Sequence, residues 1–180
     1  MTDITEKALK LGLIGAVAAF LLAALSSLAE PVISLRREAE MKAVLSVLSD
    51  GEETWAPESV SEPGISRRWR ISNDGGWILE IEGLGYGGPM LLLASYKDDG
   101  TIMAVRLLDN KETVGFGEKA ENPAYMEVFR GFGGENPIPR NEVELGDRAD
   151  IVSGATITFT GIAAALEKGS ESVKEWERQR

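Results

Sequence analysis

The spacing of hydrophobic and polar residues divides the chain into two parts. An uncharged, apolar run covers residues 11–29. At ~1.5 Å per helical residue, it spans about the 30 Å of a hydrocarbon core. The pattern predicts a transmembrane helix over 11–29, preceded by an N-terminal tail, 1–10. Pro31 ends the apolar run, after which a stalk helix and a linker rich in proline and acidic residues are predicted over 30–65.

The apolar run has a second interpretation as a cleaved signal peptide, because Ser27, Leu28 and Ala29 form a small-x-small sequence. The run is long for such a peptide, and acidic residues as well as lysines precede it. We therefore expect a retained anchor. Basic residues flank both ends of the run, so the charge pattern does not determine its orientation.

From residue 66 onward, the spacing changes to the alternation of half-buried strands. Two pairs of alternating segments, with Asp-Gly turns at 74–75 and 99–100, predict two β-hairpins. A short helix is expected over 123–132, capped by Asn122, and helical spacing returns from Phe159 to the C-terminus. The predicted fold class is α+β: one N-terminal transmembrane helix followed by a small domain, 66–180, with helices packed on an antiparallel sheet.

The composition excludes several kinds of chemistry. The chain contains no Cys and no His, which excludes disulfides, thiolate metal sites, iron–sulfur clusters and histidine-ligated haem. We expect neither catalytic side chains nor metal ligands, so any chemistry should come from an organic cofactor. The formal net charge of -10 disfavours binding to nucleic acid, whose phosphates it would repel.

Three segments contain the candidate site residues. The first, DIVSGATIT at 150–158, has small residues just before the last predicted helix, where a phosphate is favoured by free N–H groups and the helix dipole. Ser and Thr at such a position are also ordinary helix caps, and the pattern alone favours that simpler role. The segments KETVGFGEK at 111–119 and LGYGGPM at 84–90 are glycine-rich connections, which also occur without any ligand.

The same three segments carry a resemblance to a known family. DIVSGATIT resembles the flavinylation motif of the G subunit of Rnf-type electron-transport complexes, and is similar to that of the C subunit of sodium-translocating NADH:quinone oxidoreductases. KETVGFGEK resembles the family's KETPGLG loop, with Val114 and Phe116 replacing Pro and Leu. LGYGGPM resembles its GYxGP segment. The matches follow the family's order and, with the N-terminal helix, cover nearly the whole chain.

The resemblance implies that Thr156 carries covalent FMN as a phosphoester. A separate flavin transferase would make this bond and would recognise Asp150. The other residues implied around the cofactor come from two of the segments: Ser153, Gly154, Ala155 and Thr158 from the first, and Lys111, Glu112, Thr113 and Gly117 from the second.

The function implied by the resemblance is electron transfer through FMN. Residues 66–180 would be an FMN-binding domain on the periplasmic side of the cytoplasmic (inner) membrane. It would relay electrons among the membrane and peripheral subunits of a ferredoxin:NAD+ oxidoreductase that translocates Na+ or H+. The compact length and the second loop favour the Rnf type over the quinone oxidoreductase. Alternatives are an FMN-carrying subunit of another extracytoplasmic electron-transfer system, or a non-redox assembly module in which SGAT only caps a helix.

Overall fold

A computed structural model describes residues 2–51, 53–54, 56–72, 75–110, 120 and 122–180. For some of these residues the structure describes the backbone and not the side chain: 2–5, 21–22, 24–38, 110 and 123. The chain divides into two compact units, Met1–Ala43 and Val44–Arg180.

The N-terminal helix α1 extends over Thr2–Leu48. It passes through Pro31, where the sequence pattern predicts a boundary between anchor and stalk. One helix therefore covers both predicted segments. Across the part of the chain that the structure describes, no helix combines the length and apolarity required to cross a membrane. In segment 11–29, the structure does not describe the side chains of residues 21–22 and 24–29.

The second unit is built on a five-stranded antiparallel sheet, in the order β1-β2-β3-β4-β5. This confirms the α+β class with an antiparallel sheet. The strands are β1 Glu58–Glu62, β2 Ile65–Arg70, β3 Trp77–Leu84, β4 Pro89–Tyr96 and β5 Ile102–Asn110.

Strand β1 lies within the segment interpreted above as a linker, so the expectation of an irregular connection there is wrong. Its sequence, ESVSE, lacks an apolar alternation, and most of its side chains are exposed. The strand forms because its backbone pairs with β2 across a turn that contains Gly64, whose φ is 78°. Backbone pairing of this kind leaves no hydrophobic signal in the sequence.

In the described part of the chain, three α-helices and one kinked 3₁₀ segment follow the sheet: α2 Pro123–Glu127, a 3₁₀ helix Glu142–Arg148 that is interrupted by a kink at Gly146, α3 Ala149–Val152 and α4 Thr156–Gln179. The predicted cap of α2 is confirmed, since Asn122 Oδ1 accepts a hydrogen bond from Ala124 N at 3.0 Å. The helix ends earlier than predicted, at Glu127. The 3₁₀ helix and α3 lie between the two predicted helices, in a stretch for which the sequence pattern predicted no helix.

Helix α4 covers one face of the sheet and provides much of the core. Its buried residues Phe159, Ile162 and Leu166 belong to the same hydrophobic cluster as Leu79 and Leu92 of the sheet. The Phe159 ring stacks on Phe129, with ring centroids 5.0 Å apart. The packing therefore anchors α4 to the sheet within its first turns, where the candidate site residues lie.

An ion pair between the buried Glu80 and the partly exposed Arg67 lies within the sheet. Glu80, whose side chain is 6% exposed, accepts hydrogen bonds from Ser66 Oγ at 2.6 Å and from Arg67 Nε at 3.0 Å. Burial by itself would raise the pKa of the Glu80 carboxyl. The hydrogen bonds from Arg67 and Ser66, together with the Arg67 charge, outweigh it and hold the pKa below its usual value of 4.5.

This lowered pKa predicts a loss of stability in acid. The folded state binds the Glu80 proton more weakly than the unfolded state, so the carboxylate stabilises the fold above its unfolded pKa. That contribution is lost as the pH falls from about 4.5 through the lower pKa of the folded state. Glu80→Gln should flatten the pH dependence of the free energy of unfolding in this range, as measured by urea titration. Glu82→Gln, at an exposed position on the same strand, is the control. Equal acid sensitivity in wild type and Glu80→Gln would contradict the prediction.

Candidate functional site

The N-terminus of α4 forms one wall of a cavity of about 330 Å³. Its lining comes from two distant parts of the chain, the β3–β4 turn and the start of α4. The lining residues are Tyr86, Gly154, Ala155, Thr156, Ile157 and Thr158. The structure thus brings together the first and third of the segments singled out in the sequence.

Three residues connect α3 to α4. Ser153 is extended, and Gly154 has a φ of 81°, in the left-handed region that glycine adopts without steric cost. The N-cap position of α4 is taken by Ala155, which makes no side-chain capping hydrogen bond. None of the three hydroxyl residues of the segment therefore occupies the N-cap. Thr156 is the first helical residue, beside the backbone N–H groups of the first turn.

The hydroxyl groups of the segment differ in exposure. Thr156 and Ser153 are exposed, whereas Thr158 is buried, with 2% of its surface accessible. Thr158 lines the cavity, but Ser153 does not. Asp150 is exposed in the first turn of α3. Of these hydroxyls, that of Thr156 is both exposed and at the cavity.

Thr156 has a hydrogen-bond partner that the sequence did not reveal. Its Oγ1 donates to Glu142 Oε1 at 2.8 Å. Glu142 is half-buried at the start of the 3₁₀ helix, whose N-cap Asn141 accepts from Glu144 N at 3.2 Å. The pattern Asn-x-x-Glu is typical of a helix start and was available in the sequence. It locates a helical turn, but contains no information about the contact with Thr156.

The β3–β4 turn contributes Tyr86 to the lining of the cavity. Gly85 N donates to Gly88 O at 2.8 Å and closes the turn, and Tyr86 is 66% exposed. Helix α4 reaches this turn because Gly161 has no side chain: a Cβ there would overlap the Leu84 carbonyl oxygen. This close approach brings Tyr86 to the same cavity as Thr156.

The remaining candidates, Lys111, Glu112, Thr113 and Gly117, lie outside the residues that the structure describes. Strand β5 ends at Asn110, just before them, and Ala120 after them is buried in the core. Their proximity to the flavin stays a prediction.

Comparison with known proteins identifies the class of the domain. Residues 85–171 match the FMN-binding domain family. This range starts in the β3–β4 turn and includes every residue that lines the cavity. The fold and the cavity therefore belong to an FMN-binding domain.

Relatives extend the similarity beyond this domain. The G subunit of the ion-translocating oxidoreductase complex of Cereibacter sphaeroides is 30% identical over 175 residues, which cover 89% of this chain and 80% of the relative. The G subunit from Vibrio cholerae is 31% identical over 100 residues, covering 53% and 47% of the two chains. The protein of the same name from Stutzerimonas stutzeri is 33% identical over 96 residues, covering 49% and 42%. The chain belongs to the family of G subunits of Rnf-type ion-translocating oxidoreductase complexes.

The cavity fits an FMN group. Its volume lies within the roughly 300–1,000 Å³ of small-molecule sites. The exposed apolar side chains of Tyr86 and Ile157 suit an aromatic ring system, and the N-terminus of a 24-residue helix suits a phosphate. Thr156, the first residue of α4, lines the same cavity as Tyr86 and Ile157.

Proposed function

We propose that this protein relays electrons through an FMN attached to Thr156 by a phosphoester, as a subunit of an Rnf-type ferredoxin:NAD+ oxidoreductase complex. One observation carries the proposal: the Thr156 hydroxyl is exposed at the first position of α4, in the cavity of an FMN-binding domain. In this role the chain is an electron carrier within a translocase and binds no substrate of its own.

Each residue around the cavity has a definite part in this proposal. Thr156 Oγ1 is the attachment atom, and the backbone N–H groups of the first turn of α4 stabilise the phosphate charge. Ser153, Gly154, Ala155 and Thr158 shape the approach to it. FMN, when bound, supplies transfer of one or two electrons, while the protein holds it in position. Covalent attachment prevents its loss to the surrounding solution.

The apolar side chains at the cavity hold the flavin ring in this proposal. Tyr86 and Ile157, 66% and 57% exposed, lie on different elements that meet at the cavity. Covering them would remove apolar surface from water, at about 25 cal/mol per Å². Lys111, Glu112, Thr113 and Gly117 are proposed as further flavin surroundings by resemblance alone.

Modification requires access for a second protein, the flavin transferase. Asp150, its proposed recognition residue, is exposed on α3 and precedes Thr156 by six positions. The short connection between α3 and α4, which contains Ser153 and Gly154, separates the two residues. A transferase that binds α3 would therefore find the acceptor hydroxyl close to its binding surface.

The proposed location is the cytoplasmic membrane, with segment 11–29 as a single-pass anchor and the FMN domain on the extracytoplasmic side. Support comes from the uncharged sequence of the segment and from its exposed apolar side chains, among them Leu11, Ile14 and Phe20. Such side chains are stable in lipid and costly in water. The proposed partners are the other membrane and peripheral subunits of the complex, and coupling to Na+ or H+ translocation belongs to the assembled complex.

The proposal is tested by producing the full chain with and without an active flavin transferase. After denaturation, only the co-produced protein should show flavin fluorescence on a gel, with an intact mass increased by one FMN less one water. Peptide mapping should place the added mass on Thr156. Absence of flavin despite an active transferase would refute the proposal. Added mass on Ser153 or Thr158 would retain the carrier function and reassign the attachment atom.

A further inference from the structure

We propose that Glu142 orients the Thr156 hydroxyl and accepts its proton when the flavin is attached. The acceptor protein would then supply part of the chemistry of its own modification. This inference rests on the proposed attachment of FMN to Thr156, and it assigns a role to a residue outside the SGAT segment.

The geometry around Glu142 carries the inference. The hydrogen bond from Thr156 Oγ1 to Glu142 Oε1, 2.8 Å long, directs the hydroxyl hydrogen toward the carboxylate. The lone pairs of Oγ1 consequently point away from Glu142 and are available for attack. Glu144, the other acidic residue in the first turn of the 3₁₀ helix, has a different role: it accepts from Arg140 N at 2.9 Å and from Asn141 Nδ2. Glu144 thus stabilises the start of the 3₁₀ helix, whereas Glu142 binds the hydroxyl of Thr156, the proposed nucleophile.

The segment that presents Glu142 is held against α4 at a further point. The Arg140 guanidinium pairs with Glu167 at 2.6 Å. Thr156 and Glu167 are separated by about three helical turns and therefore lie on the same side of α4. The contacts of Arg140 and Glu142 with α4 keep Glu142 beside Thr156.

The chemistry needs a group that takes the threonine proton. A neutral hydroxyl is a weak nucleophile, and in phosphoryl transfer to a hydroxyl a carboxylate can accept its proton. Thr156 Oγ1 forms a bond to the flavin-side phosphorus of a flavin dinucleotide, and the bond from that phosphorus to the bridging oxygen breaks. A nucleoside monophosphate leaves with this oxygen. The proton passes to Glu142 and then to water, and no group is oxidised or reduced.

The same contact explains why Glu142 and Thr156 separate after the flavin has been attached. The ester oxygen of a modified Thr156 has no hydrogen to donate, so its hydrogen bond to Glu142 ends. The negative phosphate and the carboxylate then repel each other. Glu142 is thus suited to the unmodified protein, in which the hydroxyl has to be oriented.

The inference is tested with the unmodified full chain in detergent, purified flavin transferase, FAD and Mg²⁺. Initial rates are followed by intact mass. Glu142→Gln, which keeps the shape of the side chain, should lower kcat about 10²-fold and leave the KM for the acceptor protein unchanged. Glu142→Asp should restore part of the rate. Asp147→Asn removes the same charge from an exposed position beyond the kink at Gly146 and should react at the wild-type rate.

The outcomes separate this inference from the proposed function. Failure of the wild type to gain any flavin would refute the proposed function. Flavin on another residue would retain the carrier function and overturn the role of Glu142. Modification of the wild type with an equal or higher kcat for Glu142→Gln would overturn the role of Glu142 alone. An increase in KM with unchanged kcat would show that Glu142 is recognised by the transferase, which would also overturn its role as proton acceptor.

Discussion

Thr156→Ala will abolish covalent flavin attachment, while Thr156→Ser will retain it. The alanine variant has no oxygen to form the phosphoester, whereas serine keeps a hydroxyl at the first position of α4. The structure makes this loss specific, because the Thr156 hydroxyl is exposed at the cavity and Thr158 is buried. In-gel fluorescence of the denatured protein and its intact mass measure the effect directly.

The matched control for this substitution is Thr160→Ala. Thr160 is an exposed threonine one turn further along α4, and its hydroxyl donates to the Thr156 carbonyl oxygen at 2.9 Å. The control variant should carry flavin in full stoichiometry. Flavin that persists in Thr156→Ala would exclude Thr156 as the attachment residue, and equal losses in both variants would point to a general effect on α4.

Phe159→Ala will destabilise the FMN domain by about 3–5 kcal/mol, as expected for removal of a large buried aromatic side chain. Phe159 is fully buried, stacks on Phe129 and packs edge-to-face against Tyr125 at 6.4 Å. Its loss removes the contacts that hold the first turns of α4 to α2 and the residues after it. The free energy of unfolding, from urea titration of the unmodified protein, measures the effect.

Ile157→Ala provides the control on the same helix. Ile157 is 57% exposed and lines the cavity, so its truncation should change the free energy of unfolding by less than about 0.5 kcal/mol. It should instead alter the fluorescence of an attached flavin, whose ring it is proposed to contact. Similar losses of stability in both variants would contradict the assignment of Phe159 to the core and Ile157 to the cavity wall.

The local patterns in the sequence predicted much of the domain. The alternation around the Asp-Gly turns predicted the antiparallel hairpins that became β2–β3 and β4–β5, and helical spacing from Phe159 onward predicted the buried face of α4. These elements have strong signals because one face of each packs into the core. The SGAT segment could also be recognised as a candidate site from the sequence, because its composition and its position before a helix are both local properties.

Elements without such a signal were missed. Strand β1 depends on backbone pairing with β2, and α3 has only four residues, Ala149–Val152. The boundary expected at Pro31 lies within α1. In each of these cases the local residue preferences were too weak to predict the element or were overridden.

The sequence by itself determined the fold class, the family and the identity of the candidate acceptor, because all three depend on short-range patterns. Only the tertiary structure brought Tyr86 to the start of α4, through the close contact between Gly161 and the Leu84 carbonyl. It also placed Glu142 against the Thr156 hydroxyl, across 14 positions of the chain. Contacts of this kind form when separate elements pack on a common core, and the spacing of residues within one element does not encode them.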